Sequence, residues 1–408
     1  MGQKSTPKGM RDLLPDDMFV REEVIEKIRA VYRKNGFVPM ETPAMENLET
    51  LRAKAGEEVD RQIFIVEKEL GLRFDLTVPL ARVVSETSFP RPFKRYQIGK
   101  VWRKEEPQRG RFREFWQADA DIIGSASMRC EAELLTMANE ILRALGFEPR
   151  ILLNNRKILD ALAKKLNVES KKDEIFRLLD KLDKIGRVEV RKGIEALIGK
   201  EKTKSLFDTI EIKGTNDEKL DAAKKISEEG AKELEEIIKL CDFPIEIDLT
   251  LVRGLNYYTG PIFEIKLTND IGSVAAGGRY DNLLGVYGQP DYATGISIGV
   301  DRLVTLMQTA KRKTFTTVFV GCTKNEYYKK ALDVAHELRQ NEIAAEVDLN
   351  ERNLKKQFDY ANVLNIPYFV IVGERETKEN KFTLHDMKTG KEEMLELKMI
   401  IEKLKTCK

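Results

Sequence analysis

Residues 91–124 read RPFKRYQIGKVWRKEEPQRGRFREFWQADADIIG, and the reading of this stretch decides the fold. Apolar and polar side chains alternate over residues 96–98 and 101–102, which predicts one strand, and over 112–123, which predicts a second. Between them Lys104-Glu105-Glu106-Pro107-Gln108-Arg109-Gly110 carries the Pro and Gly of a long hairpin loop. Nine Lys or Arg and only two acids fall between residues 91 and 113. A basic loop on an ordered hairpin suits a polyphosphate and then a nucleic-acid strand. A solvated hairpin is the plainer alternative, but Trp102, Phe115 and Trp116 are interleaved with the charges and argue for a packed sheet. Past the loop, Gln117, Asp119 and Asp121 sit two apart, so their side chains leave one face of the strand. That acidic face suits an amine or an imidazolium group.

The rest of the composition narrows the chemistry. A chain of 408 residues holds two or three domains, at roughly 100–200 residues each. The net charge is only +2, so a nucleic-acid partner has to be met by local patches. Cys130, Cys241, Cys322 and Cys407 are far apart and form no CxxC, which argues against structural zinc, any other protein-bound metal, or a disulfide framework, and fits a reducing cytoplasm. No run approaches the ~18 apolar residues of a membrane span, and no signal peptide is legible, so no membrane partner is expected. The only histidines, His336 and His385, lie in the last quarter. Ser-His-Asp, Cys-His and HExxH schemes are thereby excluded from the first three quarters, which leaves electrostatic catalysis by arginines and carboxylates.

Upstream of the hairpin, Gly9-Met10-Arg11-Asp12-Leu13-Leu14-Pro15 is a turn-rich entry. A helix follows from Asp16, carried by Phe19, Val20, Val24, Ile28, Val31 and Tyr32 and stopped by Gly36. Residues 37–43 read as a strand. Residues 72–79 also read as a strand, with Arg73, Asp75 and Thr77 on one face. A carboxylate beside a hydroxyl can grip an ammonium group, and a solvated edge is the alternative. Downstream, residues 127–145 form a helix. Residues 154–240 are Lys/Glu-rich and helical, which suggests an insertion into the sheet, with either a merely solvated face or one that meets an RNA. Leu251-Val252-Arg253-Gly254-Leu255-Asn256-Tyr257-Tyr258-Thr259-Gly260 offers a guanidinium, two aromatic walls and two glycines. The walls suit a flat imidazole, or else the tyrosines pack in a core strand. Residues 295–300 alternate as a strand that hands over to a helix at Arg302. Beyond the basic linker Lys311-Arg312-Lys313, a βαβαβ order over residues 317–373 predicts a small, mostly parallel α/β domain.

These segments resemble, in order, the signature motifs of the histidyl branch of the class II aminoacyl-tRNA synthetases. Arg103-x-Glu105 with Gly110-Arg111-x-Arg113-Glu114-Phe115 is similar to motif 2, and Gly295-x3-Gly299-x2-Arg302 to motif 3. The helix to Gly36 and the Pro beyond it are similar to motif 1. Leu72-Arg73-x-Asp75-Leu76-Thr77, Gln117-x-Asp119-x-Asp121 and residues 251–260 are similar to histidine-specific segments, and Ala276-Gly277-Gly278-Arg279-Tyr280-Asp281-Asn282-Leu283-Leu284 is similar to the second signature, which implies a glycine turn beside the ligand. Asn256 stands where the pattern has Asp.

The resemblance implies an α+β fold: a six-to-seven-stranded antiparallel sheet flanked by helices, a helical insertion and a C-terminal α/β anticodon-binding domain. The expected parts are residues 1–150 and 243–312 (catalytic), 151–242 (insertion) and 313–408 (anticodon-binding). It implies a cytoplasmic homodimer that joins L-histidine to histidine tRNA at the expense of ATP, with Mg2+ accompanying the nucleotide. Arg103, Arg253 and Arg302 would be catalytic. Asp75, Leu76, Thr77, Gln117, Asp121, Tyr257 and Tyr258 would bind histidine. Arg103, Glu105, Arg111, Arg113 and Arg302 would bind ATP, and Gln108 and Arg109 the tRNA. The alternatives are a non-charging regulatory subunit of histidine biosynthesis, which would lack the C-terminal domain, and a pure RNA-binding module, which leaves Asp75, Gln117 and Tyr258 unexplained.

Overall fold

A computed structural model describes residues 5–53, 60–252, 257–268, 271–288, 290–307 and 313–406. They fall into two compact units, Met1–Asp12 with Arg21–Gln308, and Leu13–Val20 with Thr309–Lys408. In the first unit the strands are β1 (Val38–Pro39), β2 (Met45–Asn47), β3 (Ile65–Glu67), β4 (Leu70–Leu72), β5 (Phe93–Trp102) and β6 (Glu114–Ile123). They continue as β7 (Arg150–Asn155), β8 (Ile245–Ile247), β9 (Pro261–Lys266), β10 (Ser273–Arg279) and β11 (Ala293–Gly299). Three of them make a small sheet, β2-β4-β3, and eight make the main one, β1-β5-β6-β11-β10-β9-β7-β8. The six inner strands of the main sheet pair antiparallel, as expected. The outer pairs β1/β5 and β7/β8 are parallel, which makes eight strands rather than six or seven. Strands of two and three residues are too short to leave a period-2 signature in sequence.

The β5–β6 hairpin is the spine. It pairs without a break from Phe93↔Ile123 to Trp102↔Glu114. Ala118, Ala120 and Ile122 pack into the main core with Ile28, Tyr32, Leu134 and Ala138. The helix Pro15–Lys34 begins at a proline, carries Asp16 and Asp17 in its first turn, and buries Val24, Ile25, Ile28, Val31 and Tyr32. Gly36, at φ +75°, ends the run as expected of a left-handed C-terminal residue.

Two sequence readings are revised here. Residues 150–155 belong to the main sheet as β7, paired with β9 and β8. The helical excursion therefore starts at Arg156 and ends at Leu240, not at the expected boundary near 151. Its helices include Lys200–Ile210 and Asn216–Lys224, the second opened by a Thr215/Glu218 capping box. Gly277 and Gly278 lie inside β10 and not in a turn. A Cβ on Gly277 would stand 2.0 Å from the Gly295 carbonyl oxygen, so the glycine permits close strand packing.

The second unit holds β12 (Val318–Cys322), β13 (Ala345–Val347), β14 (Tyr368–Val372), β15 (Phe382–Asp386) and β16 (Glu392–Leu395), ordered β13-β12-β14-β15-β16. The first three are parallel, with the helices Tyr328–Gln340 and Leu354–Val363 as crossovers, as the sequence predicts. The antiparallel hairpin β15–β16 and the helix Leu397–Thr406 complete the unit. Its own core gathers Val318, Val320, Val334, Leu338, Val370 and Ile400. No helix among the described residues is long and apolar enough to cross a membrane.

Candidate active site

A cleft of about 430 Å³ opens over the middle of the main sheet. Gln117, Asp119 and Asp121 of β6 line it together, as their two-residue spacing predicts. Gly277 of β10 and Gly295 and Ser297 of β11 lie beside them, and Tyr257, Tyr258 and Tyr280 also line it. The Tyr257 and Tyr258 rings stand 4.9 Å apart, and Tyr257 meets Tyr280 edge-on at 5.9 Å. Tyr280 donates its hydroxyl to Asp121, and Gln117 donates to Ser297.

Beneath the acids lies Arg95, fully buried, with Nη2 2.8 Å from Asp121 Oδ2 and 3.0 Å from the Leu76 carbonyl. Burial pushes the Asp121 carboxyl up, and the Arg95 guanidinium opposes the rise. The Asp119 carboxyl is pushed up to about 7, first by burial and then by the charge of Asp121, against the pull of Arg95 and Ser297. Asp75 is likewise raised by burial, against hydrogen bonding from Val78 and the charge of Arg103. Asp75 Oδ2, Gln117 Oε1 and Asp119 Oδ1 are buried acceptors with no hydrogen-bond partner among the described residues. Three such oxygens around one cleft await donors from a ligand, because an unmet buried acceptor is costly.

Asp75 and Thr77 reach this cleft by a route other than the expected strand. The strand β4 stops at Leu72, and Thr77 opens the helix Thr77–Glu86. Asp75 Oδ1 accepts the backbone N–H of Val78 at 3.0 Å, in the first turn of that helix. Arg73 turns away from the cleft, to the carbonyls of Thr42 and Lys100 at 2.5 and 2.9 Å. Leu76 is fully buried and is not among the residues lining the cleft.

A second zone adjoins it, where arginines converge. Arg103 lines the cleft and is held by Nε donating to the Phe74 carbonyl at 2.9 Å. The pKa of Arg302 is lowered to about 10, by burial and then by the charges of Arg111 and Arg103, with Glu105 and Glu264 opposing. Three mutually repelling guanidinium groups fit a polyanion that neutralises them. Arg111 pairs with Glu105 at 3.6 Å, and Arg302 donates to the Ser273 carbonyl. Arg113 is instead engaged in holding the loop, donating Nε to the Glu105 carbonyl at 3.0 Å. The loop tip is a tight turn in which Gln108 and Arg111 exchange both backbone hydrogen bonds (3.1 and 2.8 Å), with Gly110 at φ +70°. Gln108 and Arg109 are exposed there. Arg253 and Asn256 lie outside the described residues.

Sequence reasoning left Asp119, Tyr280, Ser297 and Arg95 off the list of site residues. Asp119 shares the β6 face with Gln117 and Asp121, so strand alternation alone could have included it. Arg95 pairs with Asp121 across the hairpin, a register readable from the two strands. Tyr280 and Ser297 lie in the segments 276–284 and 295–300, but their arrival beside the β6 acids comes through long-range strand order.

The family model described as histidyl-tRNA synthetase matches residues 9–303, and one described as anticodon binding domain matches residues 317–406. A curated relative from Porphyromonas gingivalis, named histidine–tRNA ligase, is 40% identical over 97% of this chain and 97% of its own. The crystal structure of histidyl-tRNA synthetase from Nostoc sp. PCC 7120 superposes with a TM-score of 0.88 at 32% identity, covering 100% of both chains. A Bacillus halodurans chain described as an ATP phosphoribosyltransferase regulatory subunit/histidyl-tRNA synthetase shares the fold, with a TM-score of 0.74 at 22% identity over 91% of this chain.

Proposed function

Because the chain belongs to the histidyl-tRNA synthetase family, we propose that the cleft over β6 holds histidine and that the arginine zone beside it holds ATP. The protein is a class II aminoacyl-tRNA synthetase that attaches histidine to its tRNA, and the regulatory alternative is not favoured. In the first half-reaction a histidine carboxylate oxygen attacks the α-phosphate of ATP. The bond to the β-phosphate breaks, and histidyl-adenylate and pyrophosphate result. In the second, the terminal ribose hydroxyl of the tRNA attacks the adenylate carbonyl and AMP leaves.

An anion attacks a polyanion here, so the site must screen charge and align partners more than move protons. Arg103 sits between the two zones and is assigned to the α-phosphate and the histidine carboxylate. Arg302, with Arg111, takes the outer phosphates, and Glu105 the adenine amino group. Arg113 serves that zone by holding the loop. The α-amino group falls to Asp75 and Thr77, and the imidazole to Gln117, Asp119 and Asp121 between the tyrosines. Leu76 shapes this pocket through its carbonyl on Arg95. For Arg253 the assignment to the α-phosphate rests on resemblance alone. Gln108 and Arg109 at the loop tip take the tRNA acceptor end. Magnesium enters with the phosphates as part of the substrate.

A cytoplasmic homodimer is part of the same reading. The apolar residues exposed on β1, β2 and β3, namely Val38, Met45, Ile65 and Val66, support the dimer. The observation that carries the whole reading is the set of unpartnered acceptors on Asp75, Gln117 and Asp119 beside three converging arginines. Histidine-dependent ATP–pyrophosphate exchange without tRNA tests it. Exchange is expected, and binding of histidine with no exchange at saturating ATP and magnesium would sink the assignment.

A further inference from the structure

The entry segment Gly9-Met10-Arg11-Asp12 does no work in the scheme above, yet its contacts lead to both arginine-bearing motifs. Lys8 pairs with Glu106 of the hairpin loop at 2.8 Å. The Gly9 carbonyl accepts the backbone N–H of Arg113 at 2.8 Å. Gly9 is at φ +79°, and a Cβ there would stand 2.8 Å from side-chain carbons of Arg113 and of Pro107. The Arg11 guanidinium lies over the Phe112 ring at 3.8 Å, and its Nη2 reaches Asp301 Oδ1 at 2.8 Å. Residues 8–11 therefore strap the loop that carries Arg103, Glu105 and Arg111 to the helix Val300–Leu306 that carries Arg302.

Asp301 is the buckle of this strap. It is 3% exposed. Its Oδ1 also accepts Arg21 of the helix Pro15–Lys34 at 2.7 Å, and its Oδ2 accepts the backbone N–H of Trp116 at 2.7 Å. One carboxylate thus joins the entry segment, the first helix, β6 and the start of the helix whose next residue is Arg302. Arg302 needs such support. It is half-buried, repelled by Arg103 and Arg111, and held on its own account by a bond to the Ser273 carbonyl. A guanidinium placed against like charges keeps its position only if its backbone is fixed.

We propose that Arg11 and Asp301 are positioning residues for ATP, which lock the motif 2 loop and the motif 3 helix at the separation that puts Arg111 and Arg302 on the outer phosphates. The inference rests on the assignment of Arg302 to those phosphates. It makes a prediction that a merely structural role does not make. The outer phosphates depart with pyrophosphate, so the strap should matter for adenylate formation and not for the transfer that follows.

The test uses the full chain with Arg11→Gln, Asp301→Asn and, as reference, Arg302→Ala. Pyrophosphate exchange, histidine affinity, transfer from preformed histidyl-adenylate to tRNA, and melting temperature are measured on each. Arg11 is a third exposed, so Arg11→Gln is the variant expected to fold even if Asp301→Asn does not. In Arg11→Gln the exchange rate at fixed ATP should fall about tenfold to a hundredfold with a raised KM for ATP, the scale on which small misplacements act. Histidine affinity and transfer should stay within about twofold, a change small on the scale of any single lost contact. Equal loss in exchange and transfer overturns the proposal, as does normal exchange in Arg11→Gln while Arg302→Ala is impaired. If Arg302→Ala itself exchanges normally, the phosphate assignment fails first, and the strap has nothing to position.

Discussion

Asp119 is the residue whose titration matters most in the cleft. Its carboxyl sits at about 7 in place of the ordinary 3.8, because it is buried beside Asp121. Between those values the folded chain keeps a proton that the unfolded chain has lost. The sign follows: stability falls as pH rises through this window, by at most about 1.4 kcal/mol per pH unit for one proton. Asp119→Asn removes that proton, so melting curves from pH 4 to 7 should show a less negative slope in the variant than in the parent. An unchanged slope would mean that Asp119 titrates normally. The same proton should be felt by the substrate. A histidine bound as imidazolium against the Asp119 carboxylate carries one proton more than the two free partners hold above pH 7. Histidine affinity should then fall about tenfold per pH unit on the alkaline side, and calorimetry in buffers of different ionisation enthalpy should detect proton uptake. In Asp119→Asn that alkaline limb should flatten.

Among elements, the hairpin loop makes its own prediction. Gln108 lies at the exposed tip, on the turn closed by its hydrogen bonds to Arg111, beyond the residues assigned to ATP. Changing Gln108 to Ala should lower transfer to tRNA and weaken its salt dependence little, while exchange stays intact. Equal loss in both assays would move Gln108 into the adenylation site. The hairpin was also the most legible element in the sequence, for a physical reason. Its strands are long, one face is buried against the core, and Pro107 and Gly110 punctuate the loop, so periodicity and turn chemistry agree. Residues 72–79 read as a strand, and the structure departs from that reading for the opposite reason. The chain bends there because Arg73 is drawn to the carbonyls of Thr42 and Lys100, and no local pattern announces a tertiary contact. The resemblance implies a turn at Gly277 and Gly278, whereas both lie inside β10, where β11 runs close to Gly277. The set of acids on β6 was readable from alternation, and the arrival of Tyr280 and Ser297 beside them was not.

At the scale of the molecule, the two units have separate cores, one around Tyr32, Leu134 and Phe263, the other around Val320, Val334 and Val370. A chain ended at residue 312 should therefore fold its first unit and keep exchange. Its tRNA charging efficiency should drop by about 10²-fold or more, since the contribution of a second tethered contact to avidity is of that order. Unchanged charging by the folded truncation would show that the unit from residue 313 reads no part of the tRNA.

The main sheet closes by a different logic. Strands β7 and β8 lie side by side and run parallel, Ile151 opposite Ile245. Asn154 donates its side-chain amide to the carbonyls of Leu249 and Leu251 at 3.2 and 2.9 Å, which pins the approach to the segment bearing Tyr257 and Tyr258. Parallel neighbours cannot be joined by a tight turn and need a crossover of about a dozen residues or more. The helices between Arg156 and Leu240 are that crossover grown long. That connection sets a floor on the length of the excursion. A chain trimmed there to a hairpin loop would lose β8 from the sheet edge, and with it the fixed entry to the aromatic wall of the cleft.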